Sequence, residues 1–151
     1  MAKSQYLVSF HEPVEGTLIK RYKRFFADVQ LSDNTTVVSH CTNTGSMKGV
    51  YVPGSPVILS RATNPERKLQ YTWEATGVPE LKKNQWVGVN TANPNRLVGA
   101  ALRAGLLNEA LDLPAEFSVQ AEVKINAATR LDFLVEPAKG PRIYIEVKNV
   151  T

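Results

Sequence analysis

Two arms near the end of the chain constrain its fold more than any other stretch. Arg130-Leu131-Asp132-Phe133-Leu134-Val135-Glu136 and Arg142-Ile143-Tyr144-Ile145-Glu146-Val147-Lys148 each alternate polar and apolar residues. That is the pattern of strands with one wet and one dry face. Pro137-Ala138-Lys139-Gly140-Pro141 joins them and predicts a turn, since prolines and glycine punctuate a strand. A hairpin centred on Lys139 sets Glu136 against Arg142, Leu134 against Tyr144, Asp132 against Glu146 and Arg130 against Lys148. The other face then carries Leu131, Phe133 and Val135 against Ile143, Ile145 and Val147, a core face.

Like charges directly opposite one another destabilise a sheet. A cation between Asp132 and Glu146 relieves that conflict, and divalent metal ions take carboxylate oxygens. Lys148 follows Glu146 by two residues on the same face, where it can hold a water or a phosphate beside a metal. The same row also reads as an ordinary polar strand face on which Lys148 neutralises Glu146.

Upstream, Ser118 to Ile125 alternates again, with Gln120, Glu122 and Lys124 on one side. A loop at Asn126-Ala127-Ala128 puts Glu122 opposite Asp132, so that Glu122, Asp132 and Glu146 form one row; a slip of one residue breaks it. Thr91-Ala92-Asn93-Pro94-Asn95 offers helix-start chemistry. The helix it predicts carries Leu97, Val98, Ala101, Leu102 and Leu106 at helical spacing over 96–107.

The first half reads differently. Thr17 to Leu31 holds Lys20, Arg21, Lys23 and Arg24 around Tyr22, followed by Phe25-Phe26. Such a basic and aromatic run can contact phosphates and stack on bases; it equally describes a long strand with a solvated basic face. Ser32-Asp33-Asn34 then turns it into a hairpin with Thr35 to His40. The polar loop His40 to Gly49, which contains Lys48, can present backbone N–H groups to phosphate. His40 and Cys41 make a poor metal pair, because adjacent strand residues point to opposite faces. Val50 to Val52, Pro56 to Ser60 and Leu69 to Gly77 add strands between turns, and the set suggests a small barrel of the oligonucleotide-binding kind.

The sequence divides at Pro79 to Asn84, giving a barrel over 1–84 and a second domain over 85–151 that begins with a strand at Trp86 to Val89. Charge follows the division: residues 1–85 hold 11 Lys/Arg and 7 Asp/Glu, residues 86–151 hold 7 and 7. The net +4 therefore belongs to the first half, which suits a polyanion partner. No apolar run approaches the roughly 20 residues needed to span a membrane. Met1 to Phe10 does not resemble a signal peptide, and a lone Cys41 forms no internal disulfide, so a cytoplasmic protein is expected. Both histidines, His11 and His40, lie far along the chain from the carboxylates, and no Gly-rich nucleotide loop is present.

The chain resembles the sugar fermentation stimulation protein A family of bacteria and archaea. The stretches that carry the resemblance are Leu18 to Phe25, His40 to Gly49, Pro53-Gly54, Arg67-Lys68, Thr72-Trp73-Glu74, Val89-Asn90-Thr91, Asn95-Arg96-Leu97, Glu122-Val123-Lys124, Arg130 to Phe133 and Tyr144 to Thr151. The resemblance implies an oligonucleotide-binding-like β barrel followed by a partial α+β domain similar to PD-(D/E)XK nucleases. It also implies DNA binding and a link to control of sugar-metabolism genes. On it, Asp132, Glu146 and Lys148 match a nuclease motif and Glu122 an additional acidic position. Asp132, Glu146 and Glu122 would be ligands for Mg2+, while Lys20, Arg21, Lys23, Arg24 and Lys48 are the candidate DNA contacts. Thr42 stands where the family usually has Pro. Family members also run on well past the EVK strand, so the sheet is expected to lack its last helix and strand. Ile143, Ile145 and Val147 are then expected to be partly uncovered, calling for a second copy of the chain or another partner as cover. A DNA-binding module and a Mg2+-dependent DNA endonuclease are the two functions these readings support.

Overall fold

The computed structural model describes residues 7–78 and 85–150. It forms two compact units, one of Phe10–Ala92 and one of Asn93–Val150 with the described residues before Phe10.

In the first unit, β1 (Val14–Tyr22), β2 (Phe26–Leu31), β3 (Thr36–His40), β4 (Pro56–Arg61), β5 (Tyr71–Gly77) and β6 (Trp86–Gly88) lie in the order β3-β2-β1-β4-β5-β6. A parallel pairing of Ser39 and His40 with Tyr71 and Thr72 joins β3 to β5 and closes β1 to β5 into a five-strand barrel. Closure removes the unpaired edges that an open sheet would present. β1 can serve two neighbours because Gly16 lets the backbones approach: a Cβ there would lie 2.5 Å from Val29 Cγ1 and 2.8 Å from the Gln30 carbonyl oxygen. Leu18, Val29, Val57, Leu59 and Trp73 fill the interior, each at most 1% exposed. Burial of each aliphatic member contributes about 2 kcal/mol.

Three expectations change here. The run from Thr17 to Leu31 is not one strand but two, broken by a tight turn at Lys23-Arg24-Phe25. Lys23 and Arg24 both take left-handed backbone, with φ of 48° and 63°. Turns of that shape usually announce themselves with Asn-Gly or Asp-Gly, and this one does not. Trp86–Gly88 pairs with β5 through Ala75↔Gly88 and Gly77↔Trp86, so it belongs with the barrel sheet. The expected division at Pro79 to Asn84 lies outside the described residues; the units meet after Ala92.

The second unit holds α1 (Asn93–Arg103), β7 (Phe117–Lys124), β8 (Arg130–Pro137) and β9 (Ile143–Ile145). The helix ends earlier than its apolar spacing suggests because Gly105, at φ 72°, closes it. Gly105 N–H donates to Leu102 O and Leu106 N–H to Ala101 O, the paired bonds of a Schellman motif. The three strands form one antiparallel sheet in the order β7-β8-β9. Leu102, Phe133 and Val135 centre its core, with Val98, Leu107, Leu111, Ile143, Ile145 and Val147 packed against them. Ile143, Ile145 and Val147 pack against this core and are half-buried, which leaves them partly uncovered as expected. Among the described residues, no helix is long and apolar enough to cross a membrane.

Candidate functional site

The basic residues of the first half separate into two groups. Lys23, Arg24 and Phe25 form the tip of the β1–β2 hairpin and are all exposed, Phe25 at 48%. Lys20 flanks them, 3.5 Å from Asp28 and 5.3 Å from the centre of the Tyr22 ring, which stacks on Phe26 at 5.5 Å. The neighbouring Asp28 carboxylate, through a hydrogen bond, holds the Tyr22 hydroxyl above its ordinary pKa. Arg21 points elsewhere. Its Nη2 donates to the carbonyls of Arg24, Asn43 and Gly45 at 3.2, 2.7 and 2.9 Å, while its backbone N–H donates to Tyr51 Oη. Arg21 thus anchors the loop that follows β3.

That loop is built from inside. Cys41 is fully buried with Sγ 3.3 Å from Asn43 O, and Gly45 N–H donates to Asn43 Oδ1 at 2.9 Å. Lys48 is exposed beyond it. His40 Nδ1 lies 3.3 Å from Arg67 Nη2. Burial first, and then the Arg67 charge, push the His40 pKa below its ordinary value. Neither His40 nor Cys41 joins a metal cluster among the described residues.

In the second unit the strand register is the one the alternation predicts. Leu134 pairs with Tyr144 and Phe133 with Ile145, so the next step sets Asp132 opposite Glu146, just past the end of β9. Arg142 and Glu136, paired in the same register, are 2.7 Å apart. On the other side, Ala121 pairs with Phe133 and Val123 with Leu131, which brackets Glu122 opposite Asp132.

Sharing a row does not bring the three carboxylates together. Asp132 accepts from Asn95 Nδ2 at 2.6 Å and from Val147 N–H at 2.7 Å. Glu146 lies 2.5 Å from Lys148 Nζ, and that hydrogen bond raises the lysine pKa, so Lys148 stays an ammonium. Glu122 adopts left-handed backbone at φ 57° and pairs with Arg130 at 3.1 Å. Among the described residues, no three His, Cys, Asp or Glu side chains gather in a way that could hold a metal. A cavity of about 220 Å³ does bring Asp132 and Glu122 together with Asn95, Arg96 and Arg103. Asn95 is the contact that sequence reasoning missed; it stood as a helix-start residue and in a stretch that carries the resemblance, and no periodicity links it to Asp132.

A closed five-strand barrel followed by a helix and a small sheet bearing an Asp and a Glu-x-Lys set defines an oligonucleotide-binding-like barrel joined to a small α+β unit. Residues 19–89 match the family model described as the SfsA N-terminal OB domain, and residues 92–151 match the sugar fermentation stimulation protein RE domain. The chain belongs to the sugar fermentation stimulation protein (SfsA) family. A homolog from Synechococcus sp. strain CC9605 is 47% identical over 96% of this chain and 59% of its own length. One from Geobacter metallireducens is 49% identical over 90% of this chain and 56% of its own length. The chain thus spans a little under three fifths of the length of such curated relatives. The structure of Pyrococcus furiosus SfsA in complex with Ca2+ is similar in fold, with a TM-score of 0.74 at 19% identity, covering 95% of this chain and 57% of that one.

Proposed function

We propose that this chain binds DNA, with the tip of the β1–β2 hairpin as its principal contact. The observation that carries the reading is the exposed Lys23-Arg24-Phe25 tip, held in a left-handed turn with Lys20 beside it. Two cations and an exposed ring suit phosphates and base faces, and the β1–β2 loop is one of the elements with which barrels of this type hold oligonucleotides. Strained backbone at exposed cations supports a functional use, since each left-handed residue costs about 1–2 kcal/mol. Lys48 adds charge from the following loop, and Arg21 serves by fixing that loop. Binding of a labelled duplex followed by fluorescence anisotropy tests this, with Lys23→Ala and Arg24→Ala as the informative variants. A part in controlling sugar metabolism is what the name of the relatives suggests for the whole proteins.

A second reading is metal-dependent DNA cleavage by Asp132, Glu146 and Lys148, favoured by the register that sets the two carboxylates opposite each other and by the Ca2+ bound in the archaeal relative. The donor chemistry fits. Mg2+ needs only one or two carboxylates when waters and substrate phosphates complete its shell. Each Asp132 oxygen accepts one hydrogen bond, which leaves acceptor capacity on both. Asp132 and Glu146 are the residues that would hold the ion, and a bound Mg2+ would polarise the phosphodiester. Asn95 and the Val147 N–H orient Asp132. Lys148, kept charged by Glu146, stands ready to balance negative charge that develops on the phosphate. Plasmid nicking with Mg2+ that disappears in Glu146→Gln supports this reading; binding without nicking eliminates it.

A further inference from the structure

The cavity beside Asp132 contains a cation that neither reading uses. Arg96, Gly99 and Arg103 recur at three- and four-residue steps, which places them on one face of α1. Gly99 is buried, and a Cβ there would come within 3.0 Å of Arg103 Nη1 and 3.0 Å of the Phe133 ring. Glycine inside a helix is less favourable than alanine, so its presence calls for a local cause. Here the missing side chain leaves room for the Arg103 guanidinium to fold back one turn, beside Phe133 and into the wall of the cavity.

Neither carboxylate of the cavity pairs with Arg103. Glu122 pairs with Arg130, and Asp132 accepts from Asn95 and the Val147 N–H, neutral donors that leave its charge in place. Arg96 donates to Asn93 Oδ1 at 3.1 Å and to Ser9 O at 3.4 Å. Arg103 has no ion-pair partner among the described residues, although two carboxylates line the same space. At about 220 Å³ the cavity admits a tetrahedral anion with several waters, each of which occupies about 30 Å³. A planar guanidinium fork suits a phosphate better than a point charge does.

We propose that Arg103, laid back over Gly99 and assisted by Arg96, seats a phosphate of a nucleic-acid strand in the cavity beside Asp132. The choice of nucleic acid as the carrier rests on the DNA-binding reading; the anion seat itself rests on the geometry. Arg103 also lies in the last helical turn, where any cation complements the helix dipole. A lysine keeps that role but loses the fork, which separates the two.

The test follows the Arg103 Nε–Hε resonance by NMR while the full chain, in EDTA, is titrated with a thymidine dinucleotide and, separately, with inorganic phosphate. A strand-phosphate seat moves this resonance at lower dinucleotide than phosphate concentration. The response weakens in Gly99→Ala, which displaces the guanidinium without removing its charge; in Arg103→Lys, which has no such resonance, dinucleotide binding followed on the backbone amides weakens. A resonance unmoved by either probe overturns the seat, and a preference for inorganic phosphate overturns nucleic acid as its occupant. In parallel, labelled-duplex affinity is expected to fall several-fold in Arg103→Ala, with the salt slope reduced by about 1. Duplex affinity that stays unchanged in this variant overturns the seat and leaves binding at the hairpin tip standing. A wild-type chain that binds no duplex sinks the DNA reading, and the dinucleotide titration still decides the seat.

Discussion

The Asp132 carboxylate accepts the backbone N–H of Val147 at 2.7 Å, and through this bond β8 holds the segment that follows β9. Its second oxygen takes the Asn95 amide from the helix. One side chain therefore fixes the helix start, the central strand and the Glu-Val-Lys segment together. Replacing Asp132 with Ala leaves two donors without their acceptor, which costs about 1–3 kcal/mol each when buried and less where water reaches them. Asp132→Ala is expected to lower the urea midpoint of the second unit clearly, and Asp132→Asn to lower it less. Loss of any cleavage activity in Asp132→Ala must therefore be read beside its stability, and Glu146→Gln is the cleaner probe.

Arg21 and Lys23 are close in sequence and opposite in expected effect. Arg21 serves three carbonyls, and hydrogen bonds to charged groups contribute about 1.5–3 kcal/mol. Arg21→Ala is expected to destabilise the barrel by about 2 kcal/mol in urea unfolding. Lys23→Ala, at an exposed turn, should leave that loop intact and act mainly on DNA affinity.

The turn itself stores strain. A left-handed non-glycine residue costs about 1–2 kcal/mol, and glycine gives back about 0.5–1 kcal/mol of that through chain entropy. Arg24→Gly is thus expected to stabilise the barrel by about 0.5–1 kcal/mol while weakening DNA binding. A gain in stability with a loss in affinity, measured on the same preparation, marks strain kept for function.

How much of this was legible in the sequence depends on where the signal lies. The β7–β8–β9 register followed from alternation, because one residue of slip would have turned Phe133 and Val135 out of the core. The barrel followed from short strands between turn residues. What escaped lies in backbone geometry and cross-element contact. Lys23-Arg24 turns without a turn signal, and Glu122 takes a left-handed φ that no glutamate predicts and pairs with Arg130. Charge pattern alone gave Arg21 the same standing as its neighbours, and only three-dimensional contact separates it. Likewise, Gly99 reads as a weak helix residue until Arg103 is seen above it.

His40 gives the barrel a pH dependence with a defined sign. Burial and Arg67 lower its folded pKa, so between the folded and unfolded values the unfolded chain binds more protons. The neutral imidazole then contributes stability above the unfolded value near 6.5, and that contribution is lost as pH falls through and below it. Thermal midpoints are expected to drop between neutral and mildly acidic pH, with a shallower drop in His40→Gln.

The measurement that bears most directly on the hairpin tip as a DNA-binding element is duplex affinity as a function of salt for the wild type and the Lys23→Ala/Arg24→Ala double variant. Each phosphate contact adds about 0.9 to the log–log slope, so losing two contacts should make the slope shallower by about 2 and weaken binding at low salt. An unchanged slope and affinity in the double variant, with the wild type bound, would contradict the account.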